Sequence, residues 1–265
     1  MGEKPQKNLR EYSGEDRIIS STEMLLSMKD QPETLIKVKG NIPSLDQAVD
    51  GFRGGELYVI SGPTKSGKTL LAISLTNSFC RQQFQPLWFT FEVPARQFLG
   101  QFPEPPFIYL PARLRAHAMT WLEDRVMEAF EKYHTRIIFI DHLHYLFDLA
   151  QTRNPSIEIG QVIRRLKTLA VTQDFIIFLL CHTTKGKSEV NLSYESIRDS
   201  SFISQESDCV LMIKRMPDLG PTLAGLSVEF HRRTGVIERM IKLVKVDGLL
   251  REVAKHEETP RKDLE

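Results

Sequence analysis

The chain has 265 residues, 41% hydrophobic and 26% charged, which is enough for one or two domains around a buried core. Its 35 basic and 34 acidic residues leave a net charge of +1, so a globally basic nucleic-acid coat is excluded and any such contact must come from a local patch. The longest apolar run, Phe175 to Cys181, is far short of the ~18 residues a membrane span needs, and residues 1–16 hold no apolar core of a secretory signal.

Both termini are dense in charge and read as solvated tails. Ser20-x-x-Glu23 is a capping box that opens a short helix through Met24, Leu25 and Met28. Leu57–Ser61 reads as a strand, Lys68 to about Gln82 as a helix, and Leu87–Phe91 as a second strand. Residues 101–112, rich in proline, form a loop around an extended piece, Phe107–Leu110. Met119, Leu122, Val126 and Phe130 recur at helical spacing before a buried strand, Ile137–Ile140. Ile159, Val162, Ile163, Leu166 and Leu169 mark the next helix, and Phe175–Cys181 the next strand. The polar, Ser-rich stretch 182–208 reads as a long connection. Strands Cys209–Lys214 and Ser227–His231 follow, and Met240–Val246 and Leu249–Val253 flank the hairpin signal Asp247-Gly248. Strands spaced by helices and then a run of strands imply an α/β fold. Its sheet is mostly parallel with an antiparallel C-terminal extension, and no second domain of any size is expected.

Gly62-Pro63-Thr64-Lys65-Ser66-Gly67-Lys68-Thr69 is a complete GxxxxGK[ST] loop after a strand and before a helix. Backbone N–H groups of such a loop wrap phosphates, and the helix N-terminus adds a favourable dipole. Lys68 is expected to bridge the β- and γ-phosphates and the Thr69 hydroxyl to ligate Mg²⁺. Ile137-Ile-Phe-Ile-Asp141 is an apolar strand ending in an acid, so Asp141 is the second residue expected to hold Mg²⁺. Glu92 ends the strand Leu87–Phe91, which we place next to the P-loop strand. A carboxylate there can activate the attacking water, although on the residues alone a solvated strand-end acid reads equally well.

Gly54-Gly-Glu-Leu-Tyr-Val-Ile-Ser-Gly-Pro-Thr-Lys-Ser-Gly-Lys-Thr69 and Leu87-Trp-Phe-Thr-Phe-Glu92 resemble the RecA-like ATPase core of ring helicases. The likeness is to the DnaB family, the mitochondrial helicase Twinkle and phage primase-helicases. Leu180-Cys-His182 is similar to the family's sensor, where Gln or His reads the γ-phosphate. Ile197–Asp208 is similar to its R-G-S-G…Q-x-A-D stretch, and Phe230-His-Arg-Arg233-Thr-Gly235 resembles K-x-R-x-G, whose Arg enters a neighbouring subunit's site. The likeness implies that residues 40–254 form a RecA-like P-loop NTPase domain. Residues 1–39 would be a polar tail with a short linker helix, and 255–265 a charged tail. It also implies an ATP-dependent 5′–3′ DNA helicase that forms a hexameric ring on single-stranded DNA during replication. ATP or another NTP and Mg²⁺ would be used, a separate primase or polymerase would be a partner, and the setting would be cytoplasmic or a host replication compartment. Glu92, Lys68, His182 and Arg233 are the catalytic set it implies, with Gln205 and Arg215 added to nucleotide binding. The P-loop also resembles that of RecA-type recombinases, so a non-unwinding, ATP-gated DNA-binding protein, mediator or loader is the alternative. Departures are His231 in place of Lys, Asp199 and Ser201 in place of glycines, and Lys65 at a P-loop position often held by Gly.

By the same resemblance, the loop after the sensor strand lines the ring's channel. Here it carries Lys185 and Lys187, expected to contact DNA phosphates, with Arg153 and Asn154 a weaker second pair. Asp141-His-Leu-His144 invites a metal reading because alternate strand residues share a face. No Cys or third His stands nearby in sequence to support it, so His142 and His144 are expected at the strand end near the active site or channel. Three cysteines without a CxxC pair argue for reduced thiols, with Cys181 and Cys209 as small core residues.

Overall fold

A computed structural model of the chain describes residues 10, 12–14, 17–29, 36–146, 155–183 and 200–253. The chain divides into two compact units, Met1–Thr34 and Leu35–Glu265. The first holds α1 (Ser21–Lys29), entered as its capping box predicts: the Glu23 N–H donates to Ser20 Oγ at 3.1 Å.

The second unit begins with β1 (Lys37–Val38), which pairs with β2 (Phe52–Arg53) around α2 (Pro43–Val49). There follow β3 (Glu56–Gly62), α3 (Lys68–Arg81), β4 (Leu87–Thr90), α4 (Ala95–Leu99), α5 (Met119–Tyr133) and β5 (Ile137–Asp141). Beyond them come α6 (Pro155–Gln173), β6 (Ile176–His182), α7 (Ser200–Glu206), β7 (Cys209–Arg215), β8 (Leu223–His231), β9 (Glu238–Val246) and β10 (Leu249–Glu252). One sheet runs β10-β9-β8-β7-β3-β6-β5-β4. β7, β3, β6, β5 and β4 are mutually parallel, and β8, β9 and β10 add antiparallel to β7, as the alternation of elements predicts.

The parallel strands are apolar on both faces because both are covered. On one face Tyr58, Ile60, Phe139, Phe178 and Leu211 pack with Leu71, Leu75 and Phe79 of α3. Register aligns Trp88, Phe139, Phe178 and Tyr58 across four strands, and successive rings stack at centroid distances of 4.5, 4.5 and 5.2 Å. On the other face Leu57, Val59, Ile138, Ile140 and Leu179 meet Leu122 and Val126 of α5 and Ile163 and Leu166 of α6. Cys181 and Cys209 are buried among these strands.

Three features depart from the sequence reading. β4 is not beside the P-loop strand. It is the sheet's edge, with β5 and β6 between it and β3, and strand order is a tertiary property that no local pattern carries. α7 forms inside the Ser-rich stretch because Ile203 is buried there and Phe202 packs on the same core. β8 begins at Leu223 rather than Ser227, since β7 and β9 flank it and supply ladder partners that its Leu-Ala-Gly start does not advertise.

Candidate functional site

The loop between β3 and α3 lies at the carboxyl ends of the parallel strands, where open α/β sheets place their ligands. Two glycines make its path possible. A Cβ on Gly62 would lie 2.1 Å from the Ile213 carbonyl oxygen and 2.7 Å from Ser66 Oγ, while Gly67 enters the helix at φ +106°. Lys65 adopts φ +64° without being glycine. The Lys68 ammonium folds onto its own loop, donating to the Gly62 and Pro63 carbonyls at 2.9 Å each. Thr69 Oγ1 donates to Asp141 Oδ2 at 2.9 Å, so the two residues expected to hold Mg²⁺ meet although 72 positions apart.

The cleft above this loop has a volume of about 420 Å³. Thr64, Lys65, Ser66, Gly67, Lys68 and Thr69 line it, joined by Glu92, Asp141, His182 and Arg215. Each arrives by topology. His182 ends β6 in register with Gly62, Asp141 ends β5, and Arg215 ends β7 on the other flank of β3. Glu92, two residues past β4, is exposed and reaches the cleft from the sheet edge. Val93 and Gln101 also line the cleft; no motif marks them, and Gln101 falls in the proline-rich loop.

Charge in the cleft is tuned mainly by burial. Burial pushes the Asp141 carboxyl up to about 6, with Glu92 adding to it against the Thr69 hydrogen bond and the Lys68 charge. It pushes the Lys68 ammonium down, partly countered by Asp141 and Glu92. Burial, with the charge of Lys68 and the cost of protonating imidazoles side by side, lowers His142 to about 3 and His182 to about 4, so both imidazoles are neutral at neutral pH. The third histidine that the sequence lacked near His142 is His182, from the adjacent strand, with ring centroids 4.5 Å apart. His144 lies beside them, its ring 5.3 Å from that of His142.

The arrangement fits a Mg²⁺-bound nucleoside triphosphate. Ser66 Oγ is buried without a partner among the described residues, Lys68 donates to loop carbonyls, and Thr69 and Asp141 present a hard oxygen pair.

Two predicted site residues lie elsewhere. Gln205 is exposed on α7, and its carbonyl accepts a hydrogen bond from Arg232. Arg233 sits at the amino end of the sheet. It donates to Glu56 Oε1 at 2.7 Å and Oε2 at 3.3 Å, to the Val49 and Gly51 carbonyls at 2.8 and 3.0 Å, and to Asp50 Oδ2 at 3.3 Å. Burial pushes the Glu56 carboxyl up, but contacts from His231, Arg233 and Tyr58 outweigh it and hold it at about 2. The His231 contact, at 3.6 Å, is too long for a hydrogen bond, so the Arg233 pair dominates. Asp208, the acid of the Q-x-A-D likeness, accepts from the Leu57 N–H at 2.7 Å and from Lys167 at 2.6 Å, which anchors the start of β3. The expected DNA contacts Lys185, Lys187, Arg153 and Asn154 lie outside the described residues.

Residues 25–188 match the family described as an AAA domain. The fold is similar to a DnaB-like replicative helicase, whose structure was solved with its interactions with primase (TM-score 0.73, 14% identity, 88% of this chain and 67% of that one). It is equally similar to the ATPase domain of G40P (TM-score 0.73, 14% identity, 88% of this chain and 97% of that one). The chain therefore belongs to the AAA domain family, and its fold is the RecA-like ATPase core of DnaB-like helicases.

Proposed function

We propose that the chain is the motor of a ring-forming, ATP-dependent DNA helicase that moves 5′ to 3′ on single-stranded DNA during replication. The observation that supports this best is the division of the site between two ends of the sheet. Lys68, Thr69, Asp141, Glu92, His182 and Arg215 surround one cleft. Arg233 contacts Glu56 at the far end of β3, about 20 Å from Gly62 at ~3.3 Å per residue. It cannot serve its own cleft, so a catalytic role requires a neighbouring copy.

In this reading the Lys68 ammonium leaves the Gly62 and Pro63 carbonyls for the β- and γ-phosphate oxygens, and the loop N–H groups hold the remaining phosphate charge. Thr69 and Asp141 would hold Mg²⁺, which supplies neutralisation of phosphate charge when bound. Glu92 takes the proton of the attacking water, and His182 reads the γ-phosphate from the end of β6. Arg233 exchanges Glu56 and Asp50 for the phosphoryl oxygens of a neighbour's nucleotide, where its guanidinium stabilises the developing charge. Lys185 and Lys187, with Arg153 and Asn154, are assigned to the DNA backbone, and the subunits of a hexamer would sum these contacts on one strand. A separate primase or polymerase would complete the machinery. Among the described residues no helix is long and apolar enough to cross a membrane.

The test is complementation. Arg233→Ala should bind ATP but hydrolyse it on the order of 10³-fold more slowly in the assembled protein, and Lys68→Ala should be nearly inactive. Mixed under subunit exchange, the two should recover activity, because one interface then joins an intact loop to an intact finger. A mixture as inactive as its parts means that Arg233 only braces Glu56. On forked duplex, closed rings that unwind with ATP fit the helicase, whereas open filaments that do not would favour the recombinase-like reading.

A further inference from the structure

Two imidazoles of one strand end meet a third from the next strand and a carboxylate from the sheet edge. β5 and β6 are parallel neighbours, which brings His182 beside His142. Glu92 approaches from β4, and its Oε2 lies 3.5 Å from His142 Nδ1. One donor atom from each of Glu92, His142 and His182 lies within 4.8 Å of the other two. Ligands ~2.1 Å from a tetrahedral ion stand about 3.4 Å apart, so the Glu92–His142 contact is already at ligand spacing.

His142 is only 9% exposed. Nδ1 of His142 and Nδ1 of His182 have no hydrogen-bond partner among the described residues. A buried imidazole nitrogen left without a partner forfeits its hydration, and a metal ion is one ligand that restores the loss. Lys68 lies near enough to both rings to repel a further cation, and the carboxylates of Glu92 and Asp141 counter it.

We propose that Glu92, His142 and His182 form a site for a zinc-class divalent ion, separate from the oxygen pair Thr69 and Asp141, with a fourth position open to water. Two imidazoles and a carboxylate suit zinc or cobalt, whereas magnesium prefers oxygen donors and keeps its water. An ion held there occupies Glu92, so zinc suppresses ATP hydrolysis. That consequence, unlike the site, rests on Glu92 being the general base.

The experiment titrates the full, tag-free chain with Co²⁺ in the absence of nucleotide, then measures Zn²⁺ affinity by competition with a chromophoric chelator. Wild type should show the intense visible absorption of four-coordinate cobalt. His142→Ala and His182→Gln should lose it, and zinc affinity should fall by at least ~10²-fold, the upper range for loss of even an outer-shell partner. His182→Gln guards against a folding defect in His142→Ala, because glutamine is the family's other sensor residue. Unchanged zinc affinity in both variants, or only the weak absorption of six-coordinate cobalt in wild type, overturns the site. Zinc-loaded wild type that hydrolyses Mg²⁺-ATP at the zinc-free rate would leave the site standing and overturn the assignment of Glu92.

Discussion

The two ends of the central strands hold their charged groups differently, paired with opposite charge at one end and left open in a cleft at the other. At the amino end, Arg233 pairs with both Glu56 and Asp50, Tyr58 also hydrogen-bonds Glu56, and two backbone carbonyls accept from the guanidinium, although His231 Nε2 and Arg53 Nε are buried there without partners among the described residues. At the carboxyl end, Ser66 Oγ and the Nδ1 atoms of His142 and His182 are buried without partners among the described residues, and Lys68 leans on its own loop. Buried polar groups are normally satisfied, so a concentration of unsatisfied ones in one cleft marks a place shaped for something that binds there. A cluster of paired charges such as Arg233 and Glu56 stabilises the fold, and a function for it has to begin with an exchange of partners. Arg233 therefore starts paired with carboxylates, whereas Lys68 starts on the carbonyls of its own loop.

Beyond the complementation pair, the largest expected effect lies in the cleft. Glu92→Gln keeps the shape of the side chain but removes its basicity, so nucleotide binding should persist while hydrolysis falls by at least ~10²-fold. Equilibrium binding of a fluorescent nucleotide beside steady-state turnover separates the two quantities. Joint loss of both would show that Glu92 supports the cleft instead of acting in it, and the contrast between the two ends would then blur.

A smaller effect, on stability, is expected at the amino end. The folded Glu56 carboxyl is held at about 2, below its ordinary 4.5, so between those values the fold binds fewer protons than the unfolded chain. Its stabilisation is complete above about pH 4.5 and is lost as pH falls toward 2. Glu56→Gln should lower stability by about 2–3 kcal/mol near neutral pH, less than a fully buried pair because Arg233 is partly exposed. The variant should also lack the part of the acid sensitivity that belongs to this window. Urea unfolding at pH 6 and pH 3.5 measures both. Equal losses on acidification in wild type and variant would remove Glu56 as the brace.

What the sequence could and could not reveal follows the same physical division. Apolar runs and helical spacing located the parallel strands and the long helices, because both faces of the sheet are covered and the patterns are strong. The P-loop and Asp141 were legible as local motifs with correct flanks. Strand order was not, which is why β4 proves to be an edge and why His182 beside His142 could not be seen from spacing. Gln205 and Arg233 carry motif likeness without position. Likeness in order along the chain does not say which end of a sheet a residue occupies, nor that Arg233 is engaged with Glu56.

The smallest expected effect tests how closely the cleft's backbone is held. Lys65 stands at φ +64°, in the left-handed region, and its side chain is exposed at the cleft. A non-glycine residue there costs roughly 1–2 kcal/mol against glycine, and glycine gives back part of that through the greater freedom of its unfolded chain. Lys65→Gly and Lys65→Ala both delete the ammonium, so they differ only in this backbone balance. The glycine variant should be the more stable of the two by about 1 kcal/mol in denaturant unfolding, and the two should bind nucleotide alike. Equal stability would mean that the loop leaves the left-handed conformation once Lys65 is gone, so that the side chain, and not the fold around Gly62 and Gly67, sets the path of the backbone over the phosphates.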